Sequence, residues 1–149
     1  MPNRAIVATF GSENSALEAG NDIKALKDKD VGFSTKAAIV VHKDSLGNLS
    51  FPKGHERPLW GTLGGTVLGG LLGAIAGPAG AAGGAALGGL TGLATDSVGD
   101  AFDDDAVATI SADLLPGTTA VIVDANEDST RYVDEIVLAH NGQVRRVDL

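Results

Sequence analysis

Histidine, aspartate and glutamate are the residues of this chain that could carry acid–base or metal chemistry, and their spacing decides whether they do. The histidines His42, His55 and His140 lie far apart and show no metal-ligand spacing. The run Asp103–Asp105 clusters carboxylates but lacks the central glycine and closing glutamate of a calcium loop. We therefore interpret the histidines as structural and the three aspartates as solvated acids at the start of a helix.

Asp124 and Glu127 are a second candidate pair, since both follow an apolar run and could face a pocket. A strand that leads into a helix N-terminus explains the two acids without catalysis. The chain has no cysteine, which excludes thiolate ligands and a cysteine nucleophile, and no serine stands in a recognisable nucleophile motif. The sequence therefore predicts no catalytic residue, cofactor or metal site. An enzyme would instead reveal itself by a small molecule bound near Asp124 or His42.

Glycine spacing is the most informative pattern in the chain. No charged residue occurs between Arg57 and Asp96, and thirteen of the twenty-one glycines fall in this interval. A repeat of four residues keeps glycine on nearly one face of a helix, where another helix can approach to backbone contact. We call residues 58–95 the glycine window and predict that it mediates homo-oligomerisation through Gly61, Gly65, Gly69, Gly73, Gly77, Gly80, Gly84, Gly88 and Gly92.

The glycine window predicts a helical hairpin with arms at residues 59–77 and 79–95 and a tip at Pro78. The arms would be about 28 and 25 Å long, close to the roughly 30 Å of a bilayer core, and Trp60 would lie at the membrane interface. Each glycine disfavours a helix by about 1 kcal/mol relative to alanine, so close packing must stabilise the hairpin. Lipid and the interior of a soluble oligomer both remain open as its environment, and a flexible linker is a third interpretation.

The charge distribution limits the partners. The formal net charge is −8, and residues 96–149 carry most of the acids. This balance argues against nucleic acid and against electrostatic docking onto an anionic membrane. The N-terminus lacks the features of a signal peptide, so we expect a protein in the cytoplasm or at the cytoplasmic face of the inner membrane.

The elements around the glycine window read as two β-α-β units. In the first, residues 4–10 predict a strand, Ser12 caps a helix that ends near Gly32, and residues 36–43 predict a second strand. A turn at residues 44–48 and a brief return strand at 49–51 follow.

The second unit begins after an amphipathic helix that carries Val98, Phe102, Ala106, Ile110 and Leu114 at a spacing of four. Its predicted elements are a strand at residues 118–124, a helix capped by Asn126 with His140 on its inner side and Gly142 past its end, and a strand at 143–149.

An internal echo, VATFGSENS at residues 7–15 and VIVDANEDS at 121–129, supports two equivalent units. We predict a ferredoxin-like α+β fold, βαβ…βαβ with a four-stranded sheet, split by the inserted glycine hairpin and the amphipathic helix. The parts are residues 1–57, 58–95 and 96–149 of one structural domain. The apolar strands indicate that both sheet faces are covered, one by the two helices and the other by a further element such as a second copy.

The assembled pattern resembles a bacterial family of uncharacterised proteins, domain-of-unknown-function family 1269, whose members are often labelled predicted membrane proteins. The segments that carry the resemblance are RAIVATFGSENSALEA, KAAIVVHKD, LWGTLGGTVLGGLLGAIAGPAG and LLPGTTAVIV. The resemblance implies membrane association and a role in stress or envelope physiology, with no established activity and no catalytic residues.

Together these patterns predict a non-enzymatic, self-assembling protein whose partners are further copies of itself and membrane lipid. The alternative is a soluble oligomeric module that binds a small ligand at the sheet, with the hairpin buried inside the assembly.

Overall fold

The computed structural model describes residues 3–46, 49–50, 110 and 112–148. The predicted hairpin, with its nine oligomerisation glycines and Trp60, lies outside the described residues, as do His55 and Asp103–Asp105.

The described chain forms an α+β fold with a five-stranded antiparallel sheet and two α-helices. The sheet has the order β3-β2-β4-β1-β5, and every neighbouring pair is antiparallel. In chain order the elements are β1 (Asn3–Phe10), α1 (Glu13–Ala25), a 3-10 turn (Leu26–Asp28), β2 (Phe33–Lys43), β3 (Leu49–Ser50), β4 (Thr119–Glu127), α2 (Arg131–Ala139) and β5 (Gln143–Asp148).

Strand register gives the sheet two distinct ends. At one end Phe10 of β1 pairs with Thr119 of β4, which also pairs with His42 of β2. At the other end Asn3 pairs with Asn126. We call these the Phe10 end and the Asn3 end. Both helices begin or finish at these ends, because α1 follows Phe10 and α2 follows the last residue of β4.

One face of the sheet carries both helices. Alternate strand residues point to this face and pack with the buried stripes of α1 and α2, as a period of two in strands and 3.6 in helices requires. The buried cluster includes Ile6, Ala8, Phe10, Val40, Val121 and Val123 of the sheet, Ala16, Ala19 and Ile23 of α1, and Val133 and Val137 of α2.

The second face is buried as well, which confirms the prediction that both faces are covered. Val7, Ile39, Val41 and Ile122 point to this face and are at most 1 % exposed in the single chain.

The first β-α-β unit follows the sequence closely, with one boundary shifted. Ser12 caps α1 as predicted, since its hydroxyl accepts a hydrogen bond from the Ser15 backbone N–H. The helix ends at Ala25 rather than near Gly32, and β2 begins at Phe33 rather than at residue 36. Asp30 and Gly32 have φ angles of 53° and 70°, so the chain reverses in the left-handed region that helices exclude.

The second unit departs further from the prediction. Asn126 does not cap a helix, because β4 continues to Glu127 and Asn126 pairs with both Asn3 and Ser34. The helix α2 begins four residues after Glu127. Pairing with a strand on each side outweighs the local preference of asparagine for a cap.

Three further predictions, the return strand, the helix that ends at Leu114 and the position of Gly142, agree with the described residues. The brief return strand is β3, which pairs with His42 and Lys43. Of the predicted helix that ends at Leu114, residues 110, 112 and 113 are helical, and the rest lies outside the described part. Gly142 follows α2 as predicted, and its N–H donates to the Val137 carbonyl oxygen at 2.8 Å.

Gly142 packs so closely against β1 that a larger residue would not fit, and a substitution can test this contact. A Cβ added there would lie 2.5 Å from Phe10 Cε1 and 2.8 Å from the Thr9 carbonyl oxygen, whereas one at Gly11 would meet nothing within 4 Å. We expect Gly142→Ala to lower the free energy of unfolding by about 1–3 kcal/mol, as overpacking does. The matched control Gly11→Ala should change it little. Equal urea midpoints for the two variants would contradict this packing.

Candidate functional site

The most developed polar cluster in the described residues centres on Glu127 at the Asn3 end. Its side chain is 1 % exposed and forms an ion pair with Arg146 through Oε1. Arg4 Nη1 lies 3.5 Å from the same oxygen. Arg146 also donates to Asp134 Oδ1 at 2.7 Å and to the Thr130 carbonyl oxygen at 3.1 Å. The cluster thus joins β1, β4 and β5 to the first turn of α2.

The charges of Arg4, Glu127, Asp134 and Arg146, which we call the Glu127 cluster, balance one another, and this balance indicates a structural role. Burial acts to lower the pKa of Arg146, but its hydrogen bonds to Glu127 and Asp134 outweigh that effect and raise the pKa. Two arginines and two carboxylates leave no net charge, and Glu127 accepts from Arg146 through both of its oxygens. The arrangement holds the start of α2 against the sheet rather than presenting a free acid or base.

Asp124, the other member of the predicted pair, does not share a face of the sheet with Glu127. The two residues are three apart in a strand, so their side chains point to opposite faces. Asp124 is 3 % exposed and pairs in register with Ala5. Among the described residues its Oδ1 has no hydrogen-bond partner, although Thr35 Oγ1 donates to its backbone carbonyl.

The two described histidines are held separately, as the sequence predicted. His42 Nδ1 lies 3.0 Å from Thr119 Oγ1 across the β2–β4 pair. His140 follows α2 and contacts α1, with Nε2 2.9 Å from Asp22 Oδ2 and Nδ1 3.7 Å from Glu18 Oε2. His140 therefore ties the two helices together. Within the described ranges no group of histidines and acids has a geometry that could hold a metal ion.

A small polar depression lies where β1 meets β5. Its volume of about 50 Å³ is enough for one or two water molecules. The ion pair between Arg145 and Asp113 closes one side, and the hydrogen bond from that carboxylate raises the pKa of Arg145. The lining residues are Val7, Thr9, Asp113, Gln143, Val144 and Arg145.

Sequence reasoning did not anticipate the roles of Arg4, Arg145 and Arg146. The partners of these arginines are 12 to 123 positions away along the chain, and no local spacing connects them. Alternation in β5 could have shown that Arg145 and Arg146 face opposite sides of the sheet, but not which acids lie there.

The Glu127 cluster predicts a contrast between two arginine–glutamate pairs. Arg131 pairs with Glu135 at 2.8 Å, with side chains 73 % and 59 % exposed, whereas Arg146 and Glu127 are 16 % and 1 % exposed. We expect Arg146→Ala to lower the free energy of unfolding by about 3 kcal/mol, because it leaves Glu127 buried with weaker compensation. Arg131→Ala should lower it by less than about 0.5 kcal/mol. Similar losses in urea unfolding for both variants would show that the buried network is not stabilising.

For Asp124, in contrast to Arg146, we expect that removing the charged side chain stabilises the folded state. A buried polar atom without a partner disfavours the folded state by about 1–3 kcal/mol. Asp124→Val keeps the approximate volume and suits a strand, so we expect it to raise the free energy of unfolding by a similar amount. Thr119→Val on the same strand is the control, since it removes a hydroxyl that bonds His42, and it should destabilise. A large loss of stability in Asp124→Val would mean that the carboxylate has a stabilising partner.

No helix within the described ranges has both the length and the hydropathy required to cross a bilayer.

Comparison with known proteins identifies a family for more than half of the chain. Residues 60–149 match the family described as "Protein of unknown function (DUF1269)". The match runs from Trp60 in the glycine window through β4, α2 and β5, and residues 1–59 lie outside it. Neither the curated proteins nor the solved structures contain a match. On the strength of the family match, and as the resemblance predicted, the chain belongs to the DUF1269 family of proteins of unknown function.

Proposed function

We propose that this protein is a non-enzymatic, self-assembling structural protein that forms homo-oligomers through the glycine window and associates with a membrane. The observation that carries the proposal is the four-residue glycine register within a stretch that has no charge. Such a register has a use only when another helix packs against it.

The strand order supports a finer description of the fold. Leaving β3 aside, the order β2-β4-β1-β5 interleaves the units β1-α1-β2 and β4-α2-β5, and both helices pack on one face. This is the arrangement expected of a ferredoxin-like domain. In the proposal, the glycine window is an insertion between its two halves.

Energetics favour assembly of the window over an isolated hairpin. Thirteen glycines would disfavour helix formation by roughly 10 kcal/mol relative to alanine. Packing of arm against arm, and of hairpin against the hairpins of other copies, is the interaction available to offset this loss, because the window contains no charged group for ion pairing.

Membrane association is the part of the proposal that rests on length and flanking residues. As helices, the two proposed arms would each be close in length to the thickness of a bilayer core, and Trp60 at the start of the first would be at the interface, where aromatic residues are enriched. Lys53 and Arg57 precede the window, which favours a cytoplasmic location for the two halves of the domain at the inner membrane.

The test compares leucine substitutions on and off the glycine register. Gly69→Leu and Gly84→Leu place a bulky side chain on the proposed contact face and are expected to reduce the oligomer to smaller species. Gly70→Leu and Gly83→Leu are matched controls, because a shift of one residue rotates the side chain by about 100° around a helix. The measurement is mass by light scattering, with and without detergent.

Two outcomes would contradict the proposal. A monomeric wild-type protein would rule out self-assembly. Equal effects of the on-register and off-register variants would rule out the glycine face as the contact between copies. The detergent arm separates the environments. An oligomer that stays soluble and keeps its mass without detergent favours the soluble module with a buried window, whereas one that sediments with membranes favours lipid association.

A further inference from the structure

The exposed large hydrophobic side chains of the described residues all lie at one end of the sheet. They are Leu46, Leu115 and Leu138, which are 85 %, 60 % and 70 % exposed. Leu46 lies in the connection from β2 to β3, Leu115 precedes β4, and Leu138 is in the last turn of α2. Both connections and the last turn of α2 are at the Phe10 end.

Hydrogen bonds confirm that the first two connections are neighbours. The Gly117 N–H donates to the Lys43 carbonyl oxygen at 2.7 Å, and the Lys43 N–H donates to the Thr118 carbonyl oxygen at 2.9 Å. Leu46 is three residues beyond Lys43, and Leu115 is two residues before Gly117. Strand register places Leu138 at the same end. The strand β5 follows α2, and the first residue of β5, Gln143, pairs with Thr9 beside Phe10.

Charged residues are fewer in the connections at the Phe10 end, where the exposed leucines lie, than in the connection from α1 to β2 at the Asn3 end. In the described connections at the Phe10 end, residues 11–12, 44–46, 114–118 and 140–142, the one carboxylate is Asp44, and no lysine or arginine occurs. At the Asn3 end, the connection from α1 to β2 alone contains four charged residues, Lys27, Asp28, Lys29 and Asp30. The Glu127 cluster lies at that same end. The described connections at the Phe10 end thus contain fewer charges than the one from α1 to β2, although the Arg145–Asp113 ion pair also lies near the Phe10 end.

Described residues that precede and follow the glycine window in sequence also lie at the Phe10 end. β3 begins beside Lys43, and the segment after Leu114 leads into β4 at Thr119. The described chain before and after the window is therefore at the leucine-bearing end of the domain.

We propose that the Phe10 end is a membrane-docking surface, with Leu46, Leu115 and Leu138 inserted among the lipid headgroups of an uncharged bilayer surface. The inference rests on the proposed membrane association and specifies which end of the domain faces the lipid. Leu46 and Leu115 lie in separate connections beside Ser45 and Pro116, and Leu138 lies in the last turn of α2 between Val137 and Ala139. Exposed apolar side chains on three separate elements suit a headgroup layer, where each enters independently, whereas a protein partner requires a continuous complementary surface.

The decisive experiment uses the absence of cysteine in the natural chain. Full-length Leu46→Cys, Leu115→Cys and Leu138→Cys variants carry an environment-sensitive fluorophore, and Ser129→Cys at the Asn3 end is the matched control. Addition of phosphatidylcholine vesicles should shift the emission of the first three to the blue and leave the control unchanged. A shift at Ser129, or none at the leucine positions of vesicle-bound protein, overturns the inference.

Flotation with the same vesicles gives an independent measure. Each of Leu46→Asp, Leu115→Asp and Leu138→Asp is expected to weaken partitioning about tenfold, since a leucine tip no longer leaves water. Ser129→Asp adds the same charge at the far end and should bind as the wild type does. Circular dichroism checks that each variant is folded.

The outcomes separate this inference from the proposed function. If the wild-type protein floats and all aspartate variants float equally, the docking surface is wrong while membrane association stands. If the wild type does not float, membrane association fails and the docking surface fails with it, whereas the oligomer mass still judges the glycine window. A fall in oligomer mass in the aspartate variants without vesicles would make the Phe10 end a contact between copies and overturn lipid docking.

Discussion

The pairing of β1 with β4 is the interaction on which the rest of the structure depends. It joins residues 3–10 to residues 119–126, which is all of β1 and all but the last residue of β4, from Asn3 opposite Asn126 to Phe10 opposite Thr119. More than a hundred residues separate Phe10 from Thr119, so closing this loop is entropically unfavourable, although the penalty grows only logarithmically with length. The sheet recovers it by placing β1 and β4 at its centre, where each has a hydrogen-bonded neighbour on both sides. The same pairing fixes where the intervening chain leaves and rejoins the domain.

That central pair also sorts the polar residues of the domain. Helices cover one face of the sheet, and the side chains of the second face are buried too, so charged groups concentrate at the strand ends and on the outer helix surfaces. At the Asn3 end they form the balanced Glu127 cluster, which fastens α2 to three strands. The Phe10 end has fewer charges in its described connections and bears the exposed leucines. The proposed docking surface follows from this asymmetry and from the position of Ser50, the last described residue before the glycine window, opposite His42.

Asp124 and Glu127 show how a difference of three positions separates two chemically similar residues. Glu127 emerges at the end of β4 on the helix face, where Arg4 and Arg146 meet it. Asp124 points to the second face opposite Ala5, where the described residues offer its Oδ1 no donor. Strand geometry alone produces this contrast, since the side-chain period of two places odd spacings on opposite faces.

The sequence by itself determined the local features of this protein: the apolar strands, the Ser12 cap, the short return strand at Leu49, the position of Gly142 and the family resemblance. These follow from periodicity and from single-residue backbone preferences, which act over a few residues. The glycine register likewise belongs to the sequence, and its helical contact remains a hypothesis. Tertiary structure decided the extension of β4 through Asn126, the partners of Glu127 and Arg145, and the gathering of three exposed leucines at one end. Each of these depends on which distant strands become neighbours, and that choice is made by burial of the whole sheet rather than by any local pattern.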